Sequence, residues 1–275
     1  MTRIAEQLPL DEALGRHRDQ LRQLFPVPPP RPARGKAAKS AGIALVLAFA
    51  VAALAWLNPV YRTERFATAI GERRAVLLGD GSKLLLDSGS RVDVSWRLRS
   101  REASVHGQAL FDVSPAVYRP FVVSAGLTKV EVLGTLFNVR RLDDDQVRVT
   151  LARGRVQVAA AGQTPVRLTP GQQVDAIGGR LLPVTQADAT KAMAWKQGRI
   201  VFEQTPLAEA VALLRHYRKA AIRLDDPSLA ALKLSGVFDA HDVDRLLALL
   251  PSILPVSVQQ QGDGSVQIRR KAGAK

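Results

Sequence analysis

Hydrophobic and polar positions divide the chain into four stretches with different periods. The most apolar runs from Ala41 to Leu57, reads AGIALVLAFAVAALAWL, and holds no charged side chain. At ~1.5 Å of rise per residue, roughly 17 helical residues span about 26 Å, just under the ~30 Å hydrocarbon core of a bilayer. A helix satisfies its own backbone in lipid, so the run predicts a single transmembrane helix within residues 40–60. Arg31, Arg34, Lys36 and Lys39 precede it; Asn58, Pro59 and Tyr61 follow, with Trp56 near the far end. That asymmetry predicts a cytoplasmic N-terminus and an exported remainder. A cleaved signal peptide, suggested by Ala53-Leu54-Ala55, fits less well because about forty residues precede the run. A buried core helix fits less well still, since the run is apolar all round and adjoins a basic cluster.

Residues 1–39 form a short tail. Asp11 is placed to cap a helix in which Leu14, Leu21, Leu24 and Phe25 recur near helical spacing. His17 lies on that stripe and reads as a packing or surface residue rather than a ligand. So short a helix is marginal alone in water and needs a partner protein or a membrane surface. Pro26, Pro28, Pro29, Pro30 and Pro32 then form an extended, semi-rigid spacer.

Residues 62–183 have the period of β-strands. Val76-Leu77-Leu78 and Leu84-Leu85-Leu86 flank Gly79-Asp80-Gly81-Ser82, a hairpin signal. Val92 to Trp96 alternates; Leu110 to Val113, Phe121 to Val123, Val130 to Leu133 and Phe137 to Val139 follow. Val147, Val149 and Leu151, then Val156 to Val158, precede a turn at Thr169-Pro170-Gly171. No helical period appears, which predicts an all-β domain, a sandwich or a stacked antiparallel β-solenoid. Residues 184–270 read β-α-β and then β-α-β-β, a small α+β domain. Thr205-Pro206 predicts a helix start by hydroxyl cap and N1 proline, Asp242 predicts a second cap, and Pro251 predicts that helix's end. Residues 271–275 are a tail. The fold class is mainly β.

Composition narrows the function. The 275-residue chain has a formal net charge of +14 and no cysteine. Disulfides, thiolate nucleophiles and cysteine metal sites are excluded. Basic residues are dispersed and aromatics are 5%, unlike the concentrated basic, aromatic-laced surface of a nucleic-acid binder, so no direct nucleic-acid partner is expected. His17, His106, His216 and His241 are the four histidines, without zinc spacing. No nucleophile elbow is present. Gly79-Asp80-Gly81-Ser82 lacks the lysine and following helix of a phosphate loop. Asp143-Asp144-Asp145 reads as a solvated hairpin loop, and Asp80 and Asp87 as turn residues. The expectation is a non-enzyme without cofactor or metal.

Longer phrases carry a resemblance. Gly71-Glu72-Arg73-Arg74 with Leu78 to Asp87, Gly107 to Val113 with Arg119 to Val123, and above all Val130 to Val139 resemble the signatures of FecR-type transmembrane regulators. Val156, Leu168 and Pro170-Gly171-Gln172 continue it. Trp195, Phe202, Pro206-Leu207 and Ser235-Gly236-Val237-Phe238 extend it toward the C-terminus. The resemblance implies a regulator in the inner membrane of a Gram-negative bacterium, with the C-terminus in the periplasm. Its partners would be the signalling domain of a TonB-dependent receptor outside and an extracytoplasmic-function sigma factor inside, usually for iron or siderophore uptake. Residues 184–270 would be a unit like the receptor's own signalling domain, open to strand-edge pairing. Residues 1–39 hold no tryptophan and resemble only the tail of the family's longer cytoplasmic domain; Leu14, Leu21, Leu24 and Phe25 are the candidate sigma-factor contacts. Some relatives are thought to cleave themselves between the residues matching Gly134 and Thr135, the hydroxyl attacking the preceding carbonyl in a strained turn. A strand bend needing glycine explains the same pair without chemistry. The rival reading is a membrane-anchored periplasmic scaffold or polymer-binding protein without sigma-factor control, weakened by the scatter of Trp96, Tyr118 and Trp195.

Overall fold

The computed structural model describes Leu24 and residues 34–143 and 146–271. The chain forms two compact units divided between Ala53 and Leu54, and each is taken by itself. In the first, α1 (Arg34–Leu57) begins, and its last turn belongs to the second. Leu45, Val46, Leu47, Phe49 and Val51 on α1 are all exposed. Among the described residues no helix is long and apolar enough to cross a membrane.

The second unit starts with fourteen strands in one sheet. They are β1 (Val60–Ala67), β2 (Arg74–Leu77), β3 (Lys83–Leu86), β4 (Arg91–Arg97), β5 (Arg101–Asp112), β6 (Phe121–Ala125) and β7 (Thr128–Val132). Then come β8 (Leu136–Asp143), β9 (Gln146–Arg153), β10 (Val156–Ala160), β11 (Val166–Leu168), β12 (Gln172–Ile177), β13 (Arg180–Leu181) and β14 (Thr185–Gln186). The sheet is curled rather than split into a separate sandwich, and β5 is the reason. Residues 101–106 pair with β4, and residues 107–112 pair with β3 and β8. The strand turns between these halves at Gly107, whose φ of 84° favours glycine. A Cβ there would lie 2.9 Å from the Ser90 Cα, so only hydrogen fits.

The two halves close on one core that includes Leu84, Val94, Phe111, Phe121, Phe137, Val149 and Val158. Phe111 stacks on Phe137 at 5.2 Å and meets Phe121 edge-on at 6.0 Å. The expected hairpin forms between β2 and β3, and Val92, Val94 and Trp96 of β4 are the buried positions of its alternation. One pairing departs from the antiparallel expectation. The loop 113–120 carries the chain back to the start of β5, so β6 runs parallel to it from the Arg101–Phe121 pair.

A short α2 (Ala189–Ala192) and a 3₁₀ turn (Ala194–Gln197) lead to the α+β lobe. It contains β15 (Arg199–Pro206), α3 (Leu207–Leu214), β16 (Ile222–Leu224), β17 (Lys233–Asp239), α4 (Val243–Ile253), β18 (Val256–Gln260) and β19 (Val266–Arg270). The element order matches the sequence reading, but strands pair across the two repeats: β15 with β17 antiparallel, β16 with β19 parallel. Leu207, Leu214, Ile222, Leu234, Leu246, Leu250 and Ile268 are buried in one shared core.

Two helix boundaries differ from expectation. Thr205 and Pro206 are still strand, paired with Leu234 and Lys233. The Thr205 hydroxyl accepts from Glu203 N–H, so Pro206 caps α3 without a side-chain bond and Leu207 N–H donates to Leu232 C=O. Asp242 does cap α4, accepting from Arg245 N–H at 3.0 Å. Pro251 lies inside the last turn rather than ending it.

Candidate functional site

The α+β lobe lies against the outer face of the half-sheet formed by β8, β9 and β12, and the seam buries polar groups that include Asp87, Ser88, Gln108, Asn138 and Thr150. Strand alternation explains why. Val147, Val149 and Leu151 of β9 point into the core, so Arg148 and Thr150 point outward; on β8 Asn138 and Arg140 do the same. These outward groups meet the other lobe instead of water.

One end of the seam is apolar. Trp195 and Met193 are buried with Leu110, against Leu85, Leu136, Ala152 and Ala189. The indole N–H donates to Asn138 Oδ1 at 3.2 Å, which also accepts from Gln108 Nε2 at 3.3 Å. Arg73 donates to the Trp195 carbonyl at 2.7 Å and to His241 Nε2 at 2.8 Å. A guanidinium only donates, so Nε2 is the acceptor and Nδ1 carries the proton it shares with Asp239 at 2.9 Å.

The other end is charged. Glu209 of α3 accepts from Arg148 at 2.9 Å and from Arg140 at 3.3 Å. Arg148 also forks onto Asp175 of β12 at 2.6 and 3.1 Å. Burial lowers the Arg140 pKa to about 10, reinforced by the Arg148 charge. Burial pulls Arg148 down too, but the Asp175 and Glu209 carboxylates outweigh it and hold it above its ordinary value.

Between the two ends, the Tyr217 hydroxyl donates to Asp87 and the Ser88 hydroxyl donates to the His216 carbonyl. Asp87 is 2% exposed and its second oxygen has no partner. Burial raises its pKa to about 6, against the lowering pull of the Tyr217 bond and of Arg73 and Arg140. Burial, followed by the Asp87 charge, raises Tyr217 as well. Beside these groups is a cleft of about 370 Å³ lined by Gln108, Arg140, Thr150, Trp195 and Tyr217 among others. The arrangement joins the two lobes through hydrogen bonds and ion pairs.

The positions singled out from sequence fall elsewhere or nearby. Asp80 is a turn residue, accepting from Ser82 N–H at 3.0 Å, and also takes a 2.6 Å ion pair from buried Arg101. Desolvation works against its charge, but Arg101 and the Ser82 bonds keep its carboxyl below the ordinary range. Asp87, also read as a turn residue, directly precedes the turn at Ser88 and Gly89 and is in addition the buried acid of the seam.

Gly134 and Thr135 lie in the bend between β7 and β8. Gly134 lies outside the left-handed region, and a Cβ on it would sit 2.9 Å from the Pro115 Cα. Thr135 is 1% exposed and its hydroxyl donates to the Arg155 carbonyl at 3.0 Å. Gly154, at φ 94°, passes so close that a Cβ there would be 2.8 Å from Gly134 O and 2.9 Å from Thr135 Oγ1. A groove of about 640 Å³ runs alongside, floored by Gly134, Thr135, Gly154 and Leu168.

Leu14, Leu21 and Phe25 lie outside the described residues, as do Asp11, His17, Asp144 and Asp145; Leu24 is helical and exposed. Among the described residues no group of three metal-ligating side chains comes together. Arg140, Arg148, Thr150 and Glu209 were missed from sequence because each sits at an ordinary strand or helix position, and Tyr217 because it lies in the turn after α3; Asp87 and Trp195 were singled out for other reasons. The only available signal was polarity clustered on one face of β8, β9 and β12.

Residues 64–157 match the model of the FecR protein family. The chain carries a FecR domain. Two crystal structures of a candidate anti-sigma factor from Parabacteroides distasonis, at 1.65 and 2.50 Å resolution, share its fold. They cover 76% and 77% of this chain and 100% of their own, at 24% identity and TM-scores of 0.69 and 0.68. No curated protein matches significantly. The FecR domain begins within β1 and ends within β10, so it supplies Asp87, Asn138, Arg140 and Arg148 to the seam. Asp175, Trp195, Glu209 and Tyr217 come from beyond it.

Proposed function

We propose that this chain is a membrane-anchored regulator of the anti-sigma type, which relays an external binding event to a sigma factor. The observation that carries the reading is the FecR domain together with a fold that matches candidate anti-sigma factors over their whole length. On this reading Ala41 to Leu57 is the anchor; its support is the uncharged sequence run and its basic N-terminal flank, while among the described residues no helix reaches the length and apolarity of a span. The tail bearing Leu14, Leu21, Leu24 and Phe25 meets an extracytoplasmic-function sigma factor inside. The α+β lobe meets the signalling domain of a TonB-dependent receptor in the periplasm, in a system for iron or siderophore uptake.

A receptor changes the regulator only by binding its docked and released states with different affinity. The seam offers such states, because its polar groups can exchange protein partners for water. The reading also includes cleavage at Gly134–Thr135. The Thr135 oxygen attacks the Gly134 carbonyl carbon, the peptide nitrogen leaves as the new amine, and water opens the ester to a Gly134 carboxylate.

The test is co-purification of the full chain with any sigma factor and receptor signalling domain found encoded beside it, with and without each. Retention of the sigma factor, lost in Leu21→Asp, and retention of the receptor domain are expected. Failure to hold either partner overturns the reading. Mass spectrometry of the purified chain should show two associated fragments, reduced to one intact chain in Thr135→Ala; an intact wild type refutes the cleavage alone.

A further inference from the structure

Seven large apolar side chains are exposed on three segments that hydrogen bonds tie together at Asn58 and Arg119. Trp56, Leu57, Val60 and Tyr61 belong to the chain leaving the helix, Leu98 to the β4–β5 turn, and Val117 and Tyr118 to the β5–β6 loop. All are exposed, Trp56 by 82% and Tyr118 by 94%. Asn58 gathers the segments. Its left-handed φ of 43° ends the helix. Its side chain accepts from Arg99 N–H at 2.8 Å and donates to Ser100 Oγ at 3.1 Å, while its carbonyl accepts from Arg97 at 3.0 Å. Arg119 ties in the third segment, donating to the Arg97 carbonyl at 2.6 Å and to the Tyr61 hydroxyl at 3.2 Å.

Four arginines therefore stand among the apolar tips. Arg62 pairs with Glu64 and Arg97 with Glu102; among the described residues Arg99 and Arg119 form no ion pair. An exposed apolar rim marks an interaction surface. Aromatic tips interleaved with guanidinium groups suit the boundary between headgroups and acyl chains, where the rings are half-wetted and phosphates accept from arginine.

We propose that this rim is a docking surface for anionic phospholipid headgroups. The inference rests on the reading of Ala41–Leu57 as an anchor, which brings Asn58 and everything bonded to it to the membrane surface. Leu98, Val117 and Tyr118 then insert at headgroup depth while Arg99 and Arg119 bind lipid phosphate.

The chain has no cysteine, so Y118C and V117C each give one labelling site, with L127C at the opposite end of β6 as control. The full-length chain, labelled with an environment-sensitive fluorophore, is placed in nanodiscs containing phosphatidylglycerol or phosphatidylcholine alone, and quenched by nitroxide lipids. Labels at 117 and 118 should be quenched roughly threefold more than at 127 in the anionic discs, with a smaller difference in neutral discs or with Arg99→Gln. Equal quenching at all three sites overturns the proposal, and equal strength in neutral discs overturns its anionic selectivity. Carbonate washing of cell membranes separates the two readings. A chain that resists extraction but shows equal quenching loses only the rim; an extracted chain loses the anchor as well.

Discussion

The two halves of β5 have the same inner face and opposite outer faces. In residues 101–106, Ala103 and Val105 fill the core while Ser104 and His106 stand exposed. In residues 107–112, Ala109 and Phe111 fill the same core, but the outward Gln108 and Leu110 are only 7% and 9% exposed, because the second lobe covers them. The covered face is not simply a second core. It joins an apolar plug around Trp195 to a charged cluster around Glu209, a mixture found where domains dock and release rather than fuse. Buried ion pairs add little net stability over a well-packed apolar surface. A seam built this way fixes the register of the lobes by directional bonds as well as by apolar burial.

The strongest way to break the contrast is to remove the plug. Trp195→Ala should cost about 4 kcal/mol, in the range for a buried aromatic truncated to alanine. The covered half of β5 should gain amide exchange while residues 101–106 keep their protection. Urea unfolding and hydrogen exchange check this, and a loss under about 1 kcal/mol would mean that the plug does not hold the lobe.

The next effect is a pH dependence located in the seam. Asp87 is raised from 3.8 to about 6 in the folded chain. The unfolded chain then ionises first, so the protonated carboxyl's contribution is complete below about pH 4 and is lost as pH rises through about 6. Two pKa units correspond to roughly 3 kcal/mol. Asp87→Asn should flatten stability between pH 4 and 6, measured by urea unfolding across that window. Tyr217→Phe leaves Asp87 without its donor, raises its folded pKa further and should carry the same slope to higher pH.

Much of the architecture was legible because each buried strand carries its own alternation. Val92, Val94 and Trp96 define β4, and Val147, Val149 and Leu151 define β9, without reference to neighbours. Asp242 reads as a cap because its function is local. Thr205 misled because its hydroxyl and the following proline have the local form of a cap, while pairing with Leu234 decided the outcome. The long β5 was half hidden: Arg101, Ser104 and His106 dilute its pattern, and the turn at Gly107 shows only in three dimensions. The seam was least legible of all. Arg140, Arg148 and Thr150 occupy outward positions, and alternation cannot distinguish an outward face in water from one beneath another lobe.

A smaller effect should follow at the charged end. Glu209→Gln removes the carboxylate shared by Arg140 and Arg148, while Asp175 still holds Arg148. Because Glu209 is 30% exposed, water replaces part of what is lost. A cost of about 1–2 kcal/mol is expected, with a further fall in the Arg140 pKa. A double-mutant cycle with Arg140→Met should recover most of it; no recovery would mean that the pair does not couple the lobes.

The smallest change tests whether the covered face is dry. Thr150 is fully buried and its hydroxyl has no partner, although it borders the cleft beneath Tyr217. An unpaired buried hydroxyl carries a desolvation cost that a methyl of the same shape does not. Valine also suits the central strand β9 at least as well as threonine. Thr150→Val should therefore stabilise the chain by about 1 kcal/mol, read as a rise in the urea midpoint with unchanged slope. On the exposed half of β5, Ser104→Val removes a hydroxyl already bonded to water and should be neutral within about 0.5 kcal/mol. If Thr150→Val destabilises instead, the hydroxyl serves a group that enters the seam, and the cleft is an occupied part of the seam rather than a gap in it.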